Sequence, residues 1–181
     1  MTGSGNTTWY LPGRVPTLID AGVGVPSHFD ELIRALEGAE LAQVLVTHGH
    51  VDHAGGASFL AARMPQVRFL KMPWLGQDER WGVRWQRVDD GQVIAAGDGH
   101  LQAVHTPGHS PDHLCFWSGG DRTLFCGDLA WQGSTVVIPP GYGGDMVQYL
   151  ASLDRVAALS PVRMRIASSI CSRSASALKS L

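Results

Sequence analysis

The stretch VTHGHVDHAGG, residues 46 to 56, places His48, His50, Asp52 and His53 on one short, glycine-flanked turn. Imidazole nitrogen and carboxylate oxygen are ordinary zinc ligands, and a catalytic zinc site keeps one coordination position for water. Two histidines at i and i+2 can reach one ion from the same side of a turn. An aspartate and a histidine two and three residues further on can then face a neighbouring ion. A polar loop without metal would explain these four residues alone, so the rest of the chain has to supply further ligands. His109 stands in HTPGHSPDH and Asp128 in FCGDLA, each just past a β-prone run. Asp20, closing PTLID, is placed to accept the outward N–H of a ligating histidine and so fix its tautomer.

The elements that must carry these residues follow from hydrophobic period. TTWYL and PTLID, separated by the turn Pro12-Gly13-Arg14, read as a hairpin. Phe29, Leu32, Ile33 and Leu36 recur at helical spacing, with Ser27 as the expected cap and Gly38 as the stop. AQVLVT, residues 42 to 47, is apolar enough for a strand covered on both sides, and the histidine turn follows it directly. Residues 57 to 64 suit a short helix stopped by Pro65, and VRFLK is another strand. The second half changes to turn-rich β structure, with LQAVHT, HLCFW and TLFCG as consecutive strands. A helix from Asp145 to Leu159, carrying Tyr149, Leu150, Leu153, Val156 and Ala157 on one face, precedes a last strand in VRMRIA. Two strand-rich halves, each flanked by helix, predict an α/β protein of the αββα sandwich type.

Composition narrows the function classes. A chain of 181 residues with 44% hydrophobic and 17% charged residues predicts one globular domain with a substantial core. The formal charge of −2, with Lys and Arg scattered singly, offers no basic stripe for a phosphate backbone, so nucleic acid is not favoured as a partner, though not excluded. MTGSGNTTWY has neither the basic nor the apolar region of a secretory signal, and no run approaches a membrane span. Three cysteines at unremarkable spacing argue against a disulfide framework. A cytoplasmic protein is expected, with Cys115 and Cys126 as small buried hydrophobes.

The motifs LIDAG, THGHVDHAGG, TPGHSPDH and FCGDLA, in that order, resemble the metallo-β-lactamase-fold hydrolase superfamily over about residues 8 to 166. The resemblance is nearest to its glyoxalase II-like and β-lactamase-like-protein-2-like branches. It implies two divalent metal ions, zinc first and manganese or iron as alternatives. Carried over by position, His48, His50 and His109 would hold the first ion, Asp52 and His53 the second, and Asp128 would bridge, with Asp20 behind a ligating histidine. The implied reaction is hydrolysis by a metal-bound hydroxide of a small ester, thioester, lactone or lactam, with Asp52 as a ligand that also orients the hydroxide.

Two parts of the family pattern find no match: the first strand, and a final loop whose histidine would complete the second ion's ligands. This sequence has no histidine after His113. Ser168 or Ser169 stands about where that ligand belongs, and a neutral hydroxyl is a poor zinc ligand. The second ion is therefore expected to bind more weakly, and residues 167 to 181 are read as an atypical serine-rich tail after a domain spanning 1 to 166. Truncation, a shifted frame and divergence would each explain it. Two other functions stay open beside the hydrolase: a ribonuclease of the same fold, and a metal-binding protein with crippled activity. Among the remaining histidines, His28 and His100 are read as surface or turn residues, and His105 and His113 as hydrogen-bonded neighbours of the His109 loop. Trp74, Trp81 and Trp85 crowd one connection, where an exposed pair would make an apolar wall for substrate; Tyr142, in the loop PPGYGG, could reach the same site or simply pack its own loop.

Overall fold

A computed structural model of the protein describes residues 7–131 and 133–166, together with the backbone of Lys179 and Ser180. The first sheet contains β1 (Trp9–Leu11), β2 (Thr17–Ile19), β3 (Gln43–Leu45), β4 (Arg68–Lys71), β5 (Trp85–Arg87) and β11 (Lys179–Ser180), in the order β11-β1-β2-β3-β4-β5. β1 and β2 form the expected antiparallel hairpin, and β2 through β5 then run parallel. Parallel neighbours need crossovers. Two of them hold α1 (Pro26–Leu36) and, after the histidine turn, α2 (Val51–Ala54) and α3 (Ala57–Arg63). The second sheet contains β6 (Val93–Ala96), β7 (Gly99–His105), β8 (Leu114–Ser118), β9 (Thr123–Phe125) and β10 (Arg163–Arg165), with α4 (Met146–Ala158) between the last two strands.

Strand alternation sorts the apolar side chains into three layers, because successive residues point to opposite faces. Leu18, Val44 and Phe69 pack outward with Leu32, Leu36 and Leu60 of the helices. Their neighbours Ile19, Leu45 and Leu70 point inward and meet Leu101, Ala103, Phe116 and Phe125 of the second sheet. On that sheet's other face, Val104, Cys115, Leu124 and Cys126 pack with Val156 of α4. Helix, sheet, sheet, helix is the αββα sandwich that the sequence predicts.

Local details differ from the sequence reading for steric reasons. α1 starts at Pro26, whose fixed φ suits the first helical turn, so Ser27 lies inside the helix and caps nothing. Ile33 is exposed while Leu32 and Leu36 face the sheet. On α4, Asp145 is the N-cap and accepts the Gln148 N–H, but the buried stripe runs through Ser152 and Val156 and leaves Leu150 and Ala157 outside. The Ser152 hydroxyl donates to the Pro107 carbonyl at 2.7 Å, which rotates this face toward the His109 loop. His28 is half-buried rather than a surface residue, with Nε2 3.0 Å from Thr8 Oγ1. Among the described residues, no helix is long and apolar enough to cross a membrane.

Candidate metal centre

The residues singled out from the sequence sit at one edge of the sandwich. β2, β3 and β4 are parallel, so Asp20, the 48–53 turn and the end of β4 emerge together. In the second sheet, β7 and β9 both run antiparallel to β8, so the His109 loop and Asp128 follow strand ends that point the same way. The Leu114 N–H donates to the Thr47 carbonyl at 2.8 Å and joins the two sheets beside the site. Asp20 has a left-handed backbone, φ 62°, a conformation that aspartate tolerates better than most side chains. There it accepts the Thr47 N–H at 2.8 Å and the Thr47 hydroxyl at 3.0 Å. Gly127, at φ 50°, is packed so closely that a Cβ would stand 2.7 Å from His113 Nε2 and 2.9 Å from the Thr47 side chain.

Three imidazole nitrogens converge at the centre. His50 Nδ1 lies 3.0 Å from His48 Nε2 and 2.9 Å from His109 Nε2. His109 Nδ1 faces the Val137 carbonyl at 2.7 Å, which can only accept, so Nδ1 carries the proton and Nε2 a lone pair. Thr47 commits its hydroxyl proton to Asp20, so His48 Nδ1 donates to Thr47 Oγ1 at 3.1 Å and His48 Nε2 is again a lone pair. One proton on His50 Nδ1 could satisfy either of these lone pairs and leave the other facing it unpaired. A cation between the three satisfies all of them, so the donor set fits a divalent ion. Ligands at ~2.0–2.1 Å around a tetrahedral zinc stand roughly 3.3 Å apart, close to the spacing found. Burial first, then the neighbouring imidazoles, press His48 well below its ordinary pKa and His50 down to about 4, so these two rings are held neutral.

A second group, His48, His53 and Asp128, adjoins the first. His53 Nδ1 is 2.7 Å from Asp20 Oδ2, and His53 Nε2 is 3.1 Å from Asp128 Oδ1. Burial works against a charge on His53, but the carboxylates of Asp20 and Asp128 hold its pKa well above the ordinary value. Burial likewise opposes ionisation of Asp128, and His53 overrides it, so this carboxyl stays well below the usual range. Asp128 reaches both groups, because its other oxygen is 3.4 Å from His109 Nε2. Asp52 stands apart from the two convergent sets, with Oδ2 3.8 Å from His53 Nε2.

The sequence profile described as the Metallo-beta-lactamase superfamily matches residues 2–164. The chain belongs to the metallo-β-lactamase superfamily. Among curated proteins it is 35% identical over 160 residues to lactamase-like protein aptB of Emericella nidulans, covering 85% of this chain and 47% of that one. It is 36% identical over 160 residues to thioesterase pkgB of the same organism, covering 84% and 43%. It is 35% identical over 138 residues to an atrochrysone carboxyl ACP thioesterase of Aspergillus chevalieri, covering 73% and 42%. The chain thus spans less than half the length of each of these relatives. Among solved structures, a metallo-β-lactamase family protein, TTHA1429 of Thermus thermophilus, shares the fold with a TM-score of 0.75 at 19% identity, over 90% of this chain and 68% of that one. TTHA1623, solved in a di-iron-bound form, gives 0.69 at 25% identity over 90% and 85%. Lactamase-like proteins and thioesterases do not single out the glyoxalase II-like branch.

Within this metallo-β-lactamase edge, further side chains surround the centre, among them Thr106 and Trp131, which sequence reasoning left aside. His113 is fully buried, and its Nε2 accepts the Asp128 N–H at 3.0 Å. Its Nδ1–H therefore donates to Thr106 Oγ1 at 2.8 Å, and the Thr106 hydroxyl to Cys115 Sγ at 3.4 Å. Burial, followed by the His109 imidazole, presses the His113 pKa down to about 3, so this neutral tautomer persists. Burial also pushes the Cys115 thiol up to about 12, which suits a packing residue rather than a nucleophile. The Trp131 indole N–H donates to Asp128 Oδ1 at 3.1 Å; its spacing three residues past Asp128 was the available signal. Of the three tryptophans, Trp74 faces the centre, 5.8 Å from the His50 ring, whereas Trp81 and Trp85 pack against the outer core. The expected wall of an exposed tryptophan pair is thus reduced to one indole at the centre. His105 Nε2 meets the Pro111 carbonyl at 2.8 Å, and His100 lies on β7 facing solvent. Ser168 and Ser169 lie outside the described residues.

Proposed function

We propose that this chain is a dinuclear metal-dependent hydrolase whose substrate is a small thioester or ester, with lactones and lactams as the wider class. The observation that carries the reading is the convergence of the His48, His50 and His109 nitrogens beside an Asp128 carboxylate that also reaches His53. His48, His50 and His109 would hold a first ion, Asp52 and His53 a second, and Asp128 both. Imidazole and carboxylate donors suit zinc, with manganese or iron as alternatives. Two such ions, when bound, supply an electrophile for the scissile carbonyl and acidify an attacking water.

The chain's own residues do the rest. Asp20 accepts from His53 and Thr47 and keeps the His53 ring turned toward the centre. Asp52, 3.8 Å from His53 Nε2, would orient the attacking water. That water's oxygen forms the new bond to the carbonyl carbon, the carbon–sulfur, carbon–oxygen or, in a lactam, carbon–nitrogen bond breaks, and a proton of the same water ends on the leaving atom. Trp74, against the His50 ring, would offer an apolar face to the acyl group. A thioester is favoured within the class because two of the relatives carry thioesterase in their names. A reducing, cytoplasmic setting accords with the free thiols Cys115 and Cys126.

The test is a substrate panel with zinc or manganese supplied: an aryl thioester, the matching oxygen ester, a γ-lactone and a β-lactam. The thioester should turn over at least roughly tenfold faster than the β-lactam, a difference of ~1.4 kcal/mol in barrier. Its turnover should vanish with a chelator and return with added metal. Thioester hydrolysis that survives complete removal of metal would contradict the reading.

A further inference from the structure

Lys71 ends β4 and is fully buried, a state that lysine reaches only when paired. All three ammonium donors have partners: Asp78 Oδ1 at 2.6 Å, the Met72 carbonyl at 2.6 Å and Asp112 Oδ2 at 3.0 Å. Asp112 is buried as well. Its Oδ2 also accepts the Gly49 N–H at 2.8 Å, and its Oδ1 accepts the Ser110 hydroxyl at 2.9 Å. Asp78 Oδ2 accepts the Trp74 N–H at 2.8 Å. One ammonium and two carboxylates therefore fasten three loops to the end of one strand.

These loops are the ones that frame the three-imidazole group. Gly49 lies between His48 and His50, Ser110 follows His109, and Trp74 lies against the His50 ring. A Cβ at Gly49 would stand 3.3 Å from Asp112 Oδ2 and 3.1 Å from the Trp74 ring, so the contact is close on both sides. Stability alone is a poor reason for such a triad, since buried ion pairs are often replaced by apolar side chains at no net cost. What an apolar side chain cannot do is accept directed hydrogen bonds from two loops at once.

Resting on the metal reading above, we infer that Lys71 and Asp112 are positioning residues for the first ion, setting the spacing of His48, His50 and His109 through Gly49 and Ser110. They touch neither ion nor substrate. Removing them leaves the ligands present but no longer held at one separation.

The test uses the full chain and cobalt(II), whose visible absorption reports ligand geometry without any turnover. Lys71→Met and Asp112→Ala should bind the first cobalt about 10–100-fold more weakly, the range typical of partners that orient ligands, and with altered absorption bands. Asp112→Asn keeps an acceptor for the Gly49 N–H and leaves Lys71 paired with Asp78, so it should fold and fall between wild type and Asp112→Ala. Arg14→Ala, at the exposed Arg14–Asp98 pair, is the control for loss of an unrelated ion pair and should leave cobalt binding unchanged. Circular dichroism confirms that each titrated variant is folded. If Lys71→Met fails to fold, Asp112→Asn carries the test. Folded Asp112→Asn and Asp112→Ala that bind cobalt with wild-type affinity and spectrum would overturn the inference and leave the metal reading standing. A wild-type chain that takes up no cobalt would overturn both.

Discussion

Asp128→Ala should lose at least about 100-fold in the rate of metal-supported thioester hydrolysis, more than any other single change at the centre. Changes behind a ligand alter metal affinity by roughly 10–100-fold, and a direct ligand shared by two ions should matter at least as much. The geometry makes the ranking specific. Asp128 places one oxygen 3.1 Å from His53 Nε2 and the other 3.4 Å from His109 Nε2, so its loss strips negative charge from both groups. His53→Ala removes a ligand from one group only and should cost less. The comparison is kcat/KM for both variants at saturating zinc, with bound metal measured in parallel. Equal rates in the two variants, with metal retained, would contradict the shared role of Asp128.

His48→Ala should weaken the tighter ion by at least about 100-fold, on the same reasoning about direct ligands. His48 is the one histidine common to both convergent sets, and it is wholly buried. Its Nδ1 is committed to Thr47, and through Thr47 to Asp20, which holds the ring with Nε2 toward the centre. Competition against a chromophoric zinc chelator measures the affinity. A value within twofold of wild type in a folded variant would remove His48 from the first site.

Much of this candidate centre was legible because its histidines and aspartates are adjacent in sequence or follow β-prone runs. The 48–53 turn announces itself by composition, and His109 and Asp128 by following strands. Asp20 could be placed because an aspartate closing an apolar strand needs a partner, and the structure puts it 2.7 Å from His53 Nδ1. Lys71 carried the same kind of signal, a charge at the end of the apolar run VRFLK, and went unused. Its partners Asp78 and Asp112 come from loops whose meeting depends on how the two sheets pack, which no periodicity encodes. His113 illustrates a second limit. Its spacing suggested an ordinary hydrogen-bonded histidine, but only the left-handed turn at Gly127 brings the Asp128 N–H to its Nε2. The element boundaries failed where local sterics overrode the pattern, as at Pro26, and where a polar contact turned a helix face, as Ser152 does on α4.

The most direct measurement of the central claim is the number of ions the chain holds and how tightly. Metal-free protein titrated with zinc by calorimetry, with content checked by elemental analysis after dialysis, should take up two ions per chain. The first, on His48, His50, His109 and Asp128, should bind more tightly than the second, on Asp52, His53 and Asp128, because it has three imidazole donors against one. Two unequal sites, both weakened by Asp128→Ala, are the predicted result. A chain that binds one ion or none, or two ions with equal affinity, would contradict it.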